Sequence, residues 1–307
     1  MRYDLYEMFK NNFPYIYRER ETIKSIINNK NNKYIEKRNK KDELIGLSII
    51  NNNTILLLCV DSKYRNKGIG SKLLEESERL IISDGYDNAV LGVGFNYLMP
   101  GIPTSKHYFK SEHENLYPII SDTAESFFIN RGYINNSECD FFDMGQDLDI
   151  FNYIEHKIGD SINNIEYRFA TINDIDNICL CTDDAQESFT KYYKIKDRYN
   201  SNSKSRVLIA TINDEVAGTI IMSLETEGKK VGSLGCATTK HKYRNNHIAV
   251  NLTNLATKWL KDNGMKYAHL NYTYTGLDHV YGYAGYEICV YYSKAEKPLK
   301  RKNKKTK

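Results

Sequence analysis

Arg65, Gly68 and Gly70 stand in an R-x-x-G-x-G spacing, between an apolar run from Ile55 to Val60 and an amphipathic segment that begins at Ile69. A strand that turns through glycines into a helix presents backbone N–H groups with no intrahelical partner, and the helix dipole favours an anion there. Glycines let the backbone come close to a ligand, and Arg65 and Lys67 add positive charge. The chemistry to expect is the grip of a phosphate or diphosphate. Two common phosphate motifs are excluded: G-x-x-x-x-G-K-[ST] is absent here, and G-x-G-x-x-G fails because Leu73 holds the last glycine position. The plain alternative is a tight strand-to-helix turn with solvated basic residues.

The elements that must carry this loop follow from periodicity. Leu44 to Ile50 and Thr54 to Val60 read as a hairpin across Asn51-Asn52-Asn53. The helix after the loop puts Ile69, Leu73, Leu74, Leu80 and Ile81 on one face, and Asp84-Gly85 ends it. Residues 1 to about 40 read as charged and largely helical, with Phe9, Phe13, Tyr15, Ile23, Ile26 and Ile27 as the apolar face. Ala89 to Val93 is a further strand. Phe95 to Ile120, with Pro100, Pro103 and Pro118, is a long irregular stretch, either functional or a surface insertion. Thr123 to Ile129 is a short helix ended by Arg131-Gly132-Tyr133, and a strand near Cys139 to Met144 closes the unit.

After a connector from Gln146 to about Ile165 the plan repeats. Tyr167 to Ala170 is a strand, and Thr171 is a candidate helix cap. Cys181 to Tyr193 is helical or loop. Val207 to Ala210 and Ala217 to Met222 form a hairpin across Asn213-Asp214. Val231 to Thr239 is the strand before a second loop, Tyr243-Arg244-Asn245-Asn246-His247-Ile248-Ala249, and a helix follows with Ile248, Leu252, Leu255, Ala256 and Trp259 on one face. Tyr267 to Tyr272, Leu277 to Tyr283 and Tyr286 to Tyr292 read as strand, helix and strand. Arg244 matches Arg65, and Gly285-Tyr286 matches Gly132-Tyr133. Such long-period self-similarity indicates two like domains.

Composition agrees with two ordinary domains. The chain has 307 residues, 41% of them hydrophobic and 27% charged. No apolar run approaches the roughly 18 residues of a membrane span, and the N-terminus lacks the apolar core of a signal peptide. The cysteines show no C-x-x-C spacing, so a reducing cytoplasm is expected rather than a disulfide framework or a metal site. The net charge of +4 owes most to a lysine-rich C-terminus, Lys294 to Lys307, which is expected to be solvated. Nucleic-acid binding by that tail is the weaker reading.

With the duplication in view, the loop, its flanking strand and helix, and the order of elements resemble the GNAT superfamily of acyl-CoA-dependent N-acetyltransferases. Over about residues 40 to 295 the chain is similar to bacterial tandem-GNAT proteins, including the two-domain glucosamine and glucosaminide type. Tyr97-Leu98-Met99-Pro100-Gly101-Ile102-Pro103 fits their Y-L-x-P-G-x-P loop, Phe127-Phe128-Ile129-Asn130-Arg131-Gly132-Tyr133 fits their F-F-x-x-R-G-[FY] end, and the second half closes in a Tyr followed by G-[FY]. The resemblance implies an α/β (α+β) architecture of two GNAT folds in tandem, each a mixed, mostly antiparallel twisted sheet flanked by helices. The expected first domain covers 1–147, a connector 148–164, the second domain 165–295 and a basic disordered tail 296–307. It also implies acetyl-CoA as acyl donor. Its expected contacts are Cys59, Val60, Arg65, Asn66, Lys67, Gly68, Ile69, Gly70 and Ser71 in the first half. In the second they are Thr238, Thr239, Arg244, Asn246, His247, Ile248 and Ala249. The partner is a small-molecule amine, and monomer or homodimer both remain open.

Acetyl transfer to an amine needs a thioester to be held, an ammonium to lose a proton and a departing thiolate to gain one. The resemblance gives the last task to a Tyr four residues before the glycine of the closing G-[FY]. Tyrosine, with a pKa of about 10, keeps its proton near neutrality, whereas a thiol near 8.5 leaves as a thiolate that can accept it. The first half has Phe128 at that position and the second has Tyr281. The loops are biased the other way, since His247 replaces the first glycine. A His still offers its backbone N–H, and costs little if the position is ordinarily helical. A lost hydroxyl removes a chemical role, although water, Tyr97 or Tyr133 could stand in. The second domain is therefore expected to carry the chemistry, and the first to hold CoA or serve as scaffold.

The resemblance offers Glu225 as general base or water-holding carboxylate, against a turn residue. Asn271 could orient the substrate, and Asp278, which shares a helix face with Tyr281, could hold the amine or cap the helix. Asp183, Asp184 and Glu187 lie in the segment that overhangs the acceptor site, where carboxylates would attract a cation; a solvated acidic face is the alternative. His269 and His279 read as packing or surface residues. Tyr272, Tyr274, Tyr281, Tyr283 and Tyr286 suit a polar ring such as an amino sugar, or are core residues. Competing functions are a non-catalytic acyl-CoA-binding sensor and a protein-lysine acetyltransferase, which would require an open groove.

Overall fold

A computed structural model of the chain describes residues 3–14, 16–17, 20–92, 98, 101–104, 123–159, 162–224, 230–274 and 276–299. The chain forms two compact units, Met1–Phe142 with Cys289–Lys307, and Asp143–Ile288. The first contains α1 (Tyr3–Asn12), α2 (Arg20–Ile27), β1 (Lys33–Arg38), β2 (Leu44–Asn51), β3 (Thr54–Val60), α3 (Ile69–Ser83), β4 (Asn88–Leu91), β5 (Ile102–Thr104) and α4 (Thr123–Ile129). β6 (Ile134–Asp147) crosses the division. The second contains β7 (Ile165–Phe169), α5 (Ile175–Ala185), α6 (Thr190–Tyr193), β8 (Ser205–Ile212), β9 (Glu215–Ser223), β10 (Val231–Thr239), α7 (Ile248–Asp262), β11 (Tyr267–Tyr274) and α8 (Asp278–Gly282). From Cys289 onward, β12 (Glu287–Pro298) belongs to the first unit.

In the first unit the strand order is β1-β2-β3-β4-β12, antiparallel except for the parallel pair β3–β4. β2 and β3 are almost wholly buried because their apolar runs face covered surfaces on both sides. Leu74 and Ile81 of α3 join Ile50, Ile55, Leu91 and Phe128 in one core. The second unit repeats the plan as β11-β10-β9-β8-β7, with β10–β11 the parallel pair. The β8–β9 hairpin turns on Asn213 and Asp214, with φ 49° and 66°, as a two-residue turn with both central residues left-handed requires.

The expectation of helix over residues 1 to about 40 fails at Lys33–Arg38, which is the edge strand β1. Its charges misled, because an edge strand protects itself with them; Lys37 and Lys33 reach across to Glu76 at 2.6 Å and Asp84 at 2.5 Å on or beside α3. The expected domain boundaries also differ from the compact units. β12, assigned by the duplication to the second copy, pairs with β4 from Ala295↔Leu91 to Pro298↔Asn88, and so completes the first sheet. The expected tail therefore begins too early: Lys297 lies in that strand and meets Glu78 at 2.8 Å. Residues 300–307 lie outside the described residues.

Close backbone approaches replicate the duplication in detail. A β-carbon on Gly46 of β2 would sit 2.9 Å from Ile69 Cγ2 and 3.1 Å from Leu73; on Gly218 of β9 it would sit 3.0 Å from Ile248 Cγ2 and 3.1 Å from Leu252. In both units the first turn of the loop helix rests on a glycine strand. Gly101 is tighter still, with a β-carbon only 2.5 Å from the Ser293 carbonyl oxygen of β12. That neighbour is backbone in a ladder with β5 and cannot rotate away. Gly101→Ala is expected to destabilise the protein by about 1–3 kcal/mol, read as a lower urea midpoint with an unchanged slope.

Two carboxylates make the second unit acid-sensitive. Asp174 is held down to about 2, chiefly by hydrogen bonds from Arg168 at 2.8 and 2.7 Å. It also accepts from Thr171 N–H and hydroxyl, which bears out Thr171 as a helix-entry residue. Glu215 is held at about 2 by Lys240, Lys242 and Tyr243. A carboxylate depressed on folding contributes stability that is complete above its unfolded pKa, about 4, and is lost as pH falls through the folded value. Urea midpoints should therefore fall between about pH 4 and pH 2. Asp174→Asn with Glu215→Gln should lower stability at pH 7 and flatten that acid limb.

Candidate active site

The loop geometry is the same in both units. In the first, Asp61 accepts from Lys63 N–H, a short turn covers Ser62–Tyr64, and Gly68, at φ 77°, precedes α3. Asn66 is also left-handed, at φ 60°. In the second, the turn His241–Tyr243 is followed by Asn245 at φ 64° and His247 at φ 60° before α7. Arg65 Nε donates to the Val60 carbonyl at 3.0 Å, and Arg244 Nε to that of Thr239 at 3.3 Å. Each arginine is thus drawn back over the end of its strand, beside the helix N-terminus.

His247 therefore does not occupy an ordinary helical position. A β-carbon in the left-handed region costs about 1–2 kcal/mol, less for His than for bulkier residues. Its side chain gives some of this back, since Nδ1–H donates to the Lys157 carbonyl at 2.8 Å. The segment before β7 lies along α7 as a whole: Asn251 bonds the backbone of His156 in both directions, Asn254 donates to Ile154 O and Lys261 to Phe151 O. This explains why α7 buries Asn251 and Asn254 as well as its apolar stripe. Leu255 and Trp259, expected on that stripe, are half-buried.

Parallel strands that pair briefly and then part open a cleft in the first unit. Among the described residues β3 and β4 pair at Thr54↔Val90 and Ile55↔Leu91. The cleft holds about 730 Å³, within the range of small-molecule sites. Its floor is Ile55 to Val60, its mouth carries Arg65, Asn66, Gly68, Gly70 and Ser71, α4 contributes Phe127 and Phe128, and the turn after α4 contributes Arg131. An apolar slot ending at a helix N-terminus with an arginine fits a chain that carries a diphosphate at one end. Of the residues expected to contact the cofactor here, Lys67 and Ile69 are not in the lining: Lys67 Nζ donates to Lys63 O, and Ile69 packs on Gly46. Asn12, Phe13 and Arg131 line the cleft and were not anticipated. Arg131 stacks 3.8 Å from the Phe127 ring centroid and donates to Ser71 Oγ at 2.8 Å; its place in the F-F-x-x-R-G segment was the available signal.

The described lining contains no Tyr, His, Asp, Glu or Lys. Burial pushes the Cys59 thiol up to about 12, so it stays protonated. Tyr133 is buried but is not part of the lining, and Tyr97 lies outside the described residues. The edge of Phe128 fills the position where a hydroxyl would be expected, and packs edge-on to Tyr133 at 5.5 Å.

In the second unit the corresponding strands part after Leu234↔Leu270. β10 shifts register against β9 between Gly235 and Thr238, a bulge centred on left-handed Cys236. Tyr281 is 9% exposed and its ring meets Tyr286 edge-on at 6.4 Å. Burial raises its pKa, and the neighbouring Cys236 and Tyr274 raise it further. Tyr286 is a core residue, its hydroxyl 2.7 Å from Thr257 Oγ1, and Tyr283 is 65% exposed. Tyr272 is buried, and Tyr281 and half-exposed Tyr274 remain on the Cys236 side.

The remaining expected residues are placed as follows. Thr238 Oγ1 donates to Cys236 O at 3.1 Å, while Thr239 Oγ1 is buried with no hydrogen-bond partner. Asn246 Nδ2 donates to the Tyr243 and Arg244 carbonyls. Ile248 turns into the sheet against Gly218, and Ala249 is half-buried on the first turn. Asp184 accepts from His241 N–H at 2.7 Å and lies 3.0 Å from its ring, which lowers its pKa. Asp183 accepts from Thr190 at 2.6 Å, and Glu187 is exposed. Asp278 accepts from Gly276 N–H in the turn before α8. Asn271 Oδ1 lies 3.0 Å from His269 Nε2. Glu225 lies outside the described residues.

Two family models match the chain: an acetyltransferase (GNAT) domain over residues 5–93 and the acetyltransferase (GNAT) family over residues 170–285. Together they cover more than half of it. The chain belongs to the GNAT acetyltransferases and carries two such domains in tandem, which makes it an N-acetyltransferase by family. No curated protein sequence matches it.

Among solved structures it is similar to a tandem GNAT protein from the clavulanic acid biosynthesis pathway, with TM-score 0.68, 10% identity, and coverage of 98% of this chain and 95% of that one. It is also similar to the GCN5-related glucosamine N-acetyltransferase region of a fungal multi-domain GH3 β-N-acetylglucosaminidase, with TM-score 0.64 and 17% identity over 95% of this chain. The chain spans 36% of the length of that fungal protein. A GCN5-related N-acetyltransferase from Sphaerobacter thermophilus gives TM-score 0.59 at 15% identity, over 88% of this chain and 81% of that one. At these identities the likeness is one of fold. Among the described residues no helix is long and apolar enough to cross a membrane.

Proposed function

We propose that the chain moves the acetyl group of acetyl-CoA to the primary amine of a small molecule, by direct transfer with both substrates bound, and that an amino sugar is the acceptor class. The first unit binds acetyl-CoA without reacting it, and the second carries the chemistry. The observation that supports this division most is the contrast at one position: Phe128 lines a cleft with no Tyr, His, Asp, Glu or Lys among its described lining residues, while Tyr281 lies beside the Cys236 bulge.

The bound thioester supplies an activated acyl carbon. The chain's own residues do the rest. The α7 N-terminus and Arg244 hold the diphosphate. Glu225 takes the ammonium proton, directly or through water, so that the nitrogen lone pair can form the new C–N bond. Tyr281 points its hydroxyl proton at the sulfur as the C–S bond breaks. Asn271 and Tyr274 orient the acceptor. The glucosamine N-acetyltransferase activity in the name of the fungal neighbour favours an amino sugar over other amines.

The test is release of free CoA from acetyl-CoA in the presence of glucosamine, other amino sugars, polyamines and lysine peptides, with product masses. Acetylated amino sugar is the expected product. A second reading, a non-catalytic acyl-CoA-binding protein, is favoured by the same described lining of the first cleft, which has no Tyr, His, Asp, Glu or Lys; acetyl-CoA binding with no CoA released on any acceptor would establish it instead.

A further inference from the structure

Two residues beyond the last β10–β11 pair, Leu234↔Leu270, each strand carries a left-handed residue: Cys236 at φ 53° and Tyr272 at φ 68°. Neither is a glycine, and Tyr272 is bulky. Each such backbone is strained and persists only where its surroundings hold it. Here a buried side chain from another element bonds the backbone of each. The Tyr193 hydroxyl, on α6, donates to the Cys236 carbonyl at 2.6 Å, and Tyr193 is fully buried. Asp143 Oδ1, on β6, accepts the Tyr272 N–H at 2.7 Å.

Asp143 is 2% exposed, and a carboxylate that deep is retained only where it is partnered. Its other oxygen lies 3.7 Å from Nε2 of the equally buried His269, which in turn meets Asn271 Oδ1. In the first unit, two beyond the last described pair, Leu57 is not left-handed, and the left-handed residue next to Leu91 is a glycine, Gly92 at φ 67°. Left-handed non-glycine residues thus stand where the strands part in the unit that also carries Tyr281.

We propose that Tyr193 and Asp143 are positioning residues, which hold Cys236 and Tyr272 left-handed, keep β10 and β11 apart, and so shape the slot that takes the acetyl group. This rests on the placement of the chemistry in the second unit. A slot formed this way recognises the acyl group and not the rest of the cofactor. Losing an anchor lets the strands relax toward ordinary extended backbone and narrows the slot, with little effect on the nucleotide end.

The test follows amide hydrogen exchange in peptides covering 231–239 and 267–274 during separate titrations with acetyl-CoA and CoA. In the wild type both ligands slow exchange, and acetyl-CoA binds more tightly. In Tyr193→Phe and Asp143→Ala the acetyl-CoA midpoint should rise about tenfold while that of CoA moves less than about threefold. A merely structural loss would shift both together. Asp143→Asn keeps an acceptor for the Tyr272 N–H and should retain the wild-type preference. If Asp143→Ala does not fold, Tyr193→Phe decides.

Equal shifts for the two ligands, or none in Tyr193→Phe, overturn the proposal while leaving the proposed function standing. If acetyl-CoA gives no protection in these peptides in the wild type, both fail.

Discussion

Tyr281→Phe is expected to lower kcat about 100-fold or more while leaving KM for acetyl-CoA within about threefold. The ring is 9% exposed and packs on Tyr286, so phenylalanine keeps the shape and removes the hydroxyl alone. The raised pKa of Tyr281 refines how that hydroxyl works. Even an unshifted phenol near 10 gives its proton to a thiolate near 8.5 uphill, by about 2 kcal/mol, and burial widens the gap. The main contribution is therefore a hydrogen bond to the sulfur as charge develops on it, with the proton following when the product leaves. One consequence is a pH profile that rises as the acceptor ammonium and the base ionise, and that shows no falling limb up to about pH 10. A kcat within threefold of wild type in Tyr281→Phe, or a falling limb near pH 8 that disappears in it, would remove Tyr281 from this role.

The parts of the fold that were legible in the sequence are those where one local signal sufficed. Apolar runs placed β2, β3, β8, β9 and β10, glycine and asparagine placed the turns, and R-x-x-G-x-G placed the loop before α3. β1 was not legible, because an edge strand rich in charge has the composition of a solvated helix. The exchange of β12 into the first unit could not be read either, since strand partners are not written in the strand itself. At the site, Arg65, Gly68 and Gly70 line the cleft as their spacing indicated. Asp183, Asp184 and Asp278 have local partners that residue type alone does not give. Each looked like an acceptor contact, and each has its carboxylate engaged with a neighbouring hydroxyl or backbone N–H. Tyr193, Asp143 and Cys236 gave no sequence signal, because their significance lies in backbone angles that several distant elements impose together. Gly46 and Gly218 were readable in principle, as paired glycines one strand before each loop, but their reason appears only when the facing isoleucines are seen.

Gly68→Asp is expected to abolish one of two acetyl-CoA sites while leaving turnover within about twofold, and the two readouts together decide which unit does what. At φ 77° the residue sits at the start of α3, and a β-carbon there has nothing within 4 Å. The substitution therefore creates no clash, and its conformational cost is about 1 kcal/mol, since aspartate tolerates the left-handed region better than most. Its effect is electrostatic. A carboxylate on the helix N-terminus occupies the favourable field that would otherwise meet a diphosphate, and repels the incoming anion. A loss of about 100-fold in affinity at that site, roughly 2.7 kcal/mol, is within reach of removing this field and adding one like charge. Calorimetry should then show acetyl-CoA stoichiometry falling from two to one, with the first-unit peptides 54–71 losing their protection from exchange and those of the second unit keeping theirs. A matching collapse of kcat would mean that the first cleft, whose described lining has no Tyr, His, Asp, Glu or Lys, houses the reaction. Phe128→Tyr would then be expected to raise the rate, whereas a reaction in the second unit leaves it unmoved.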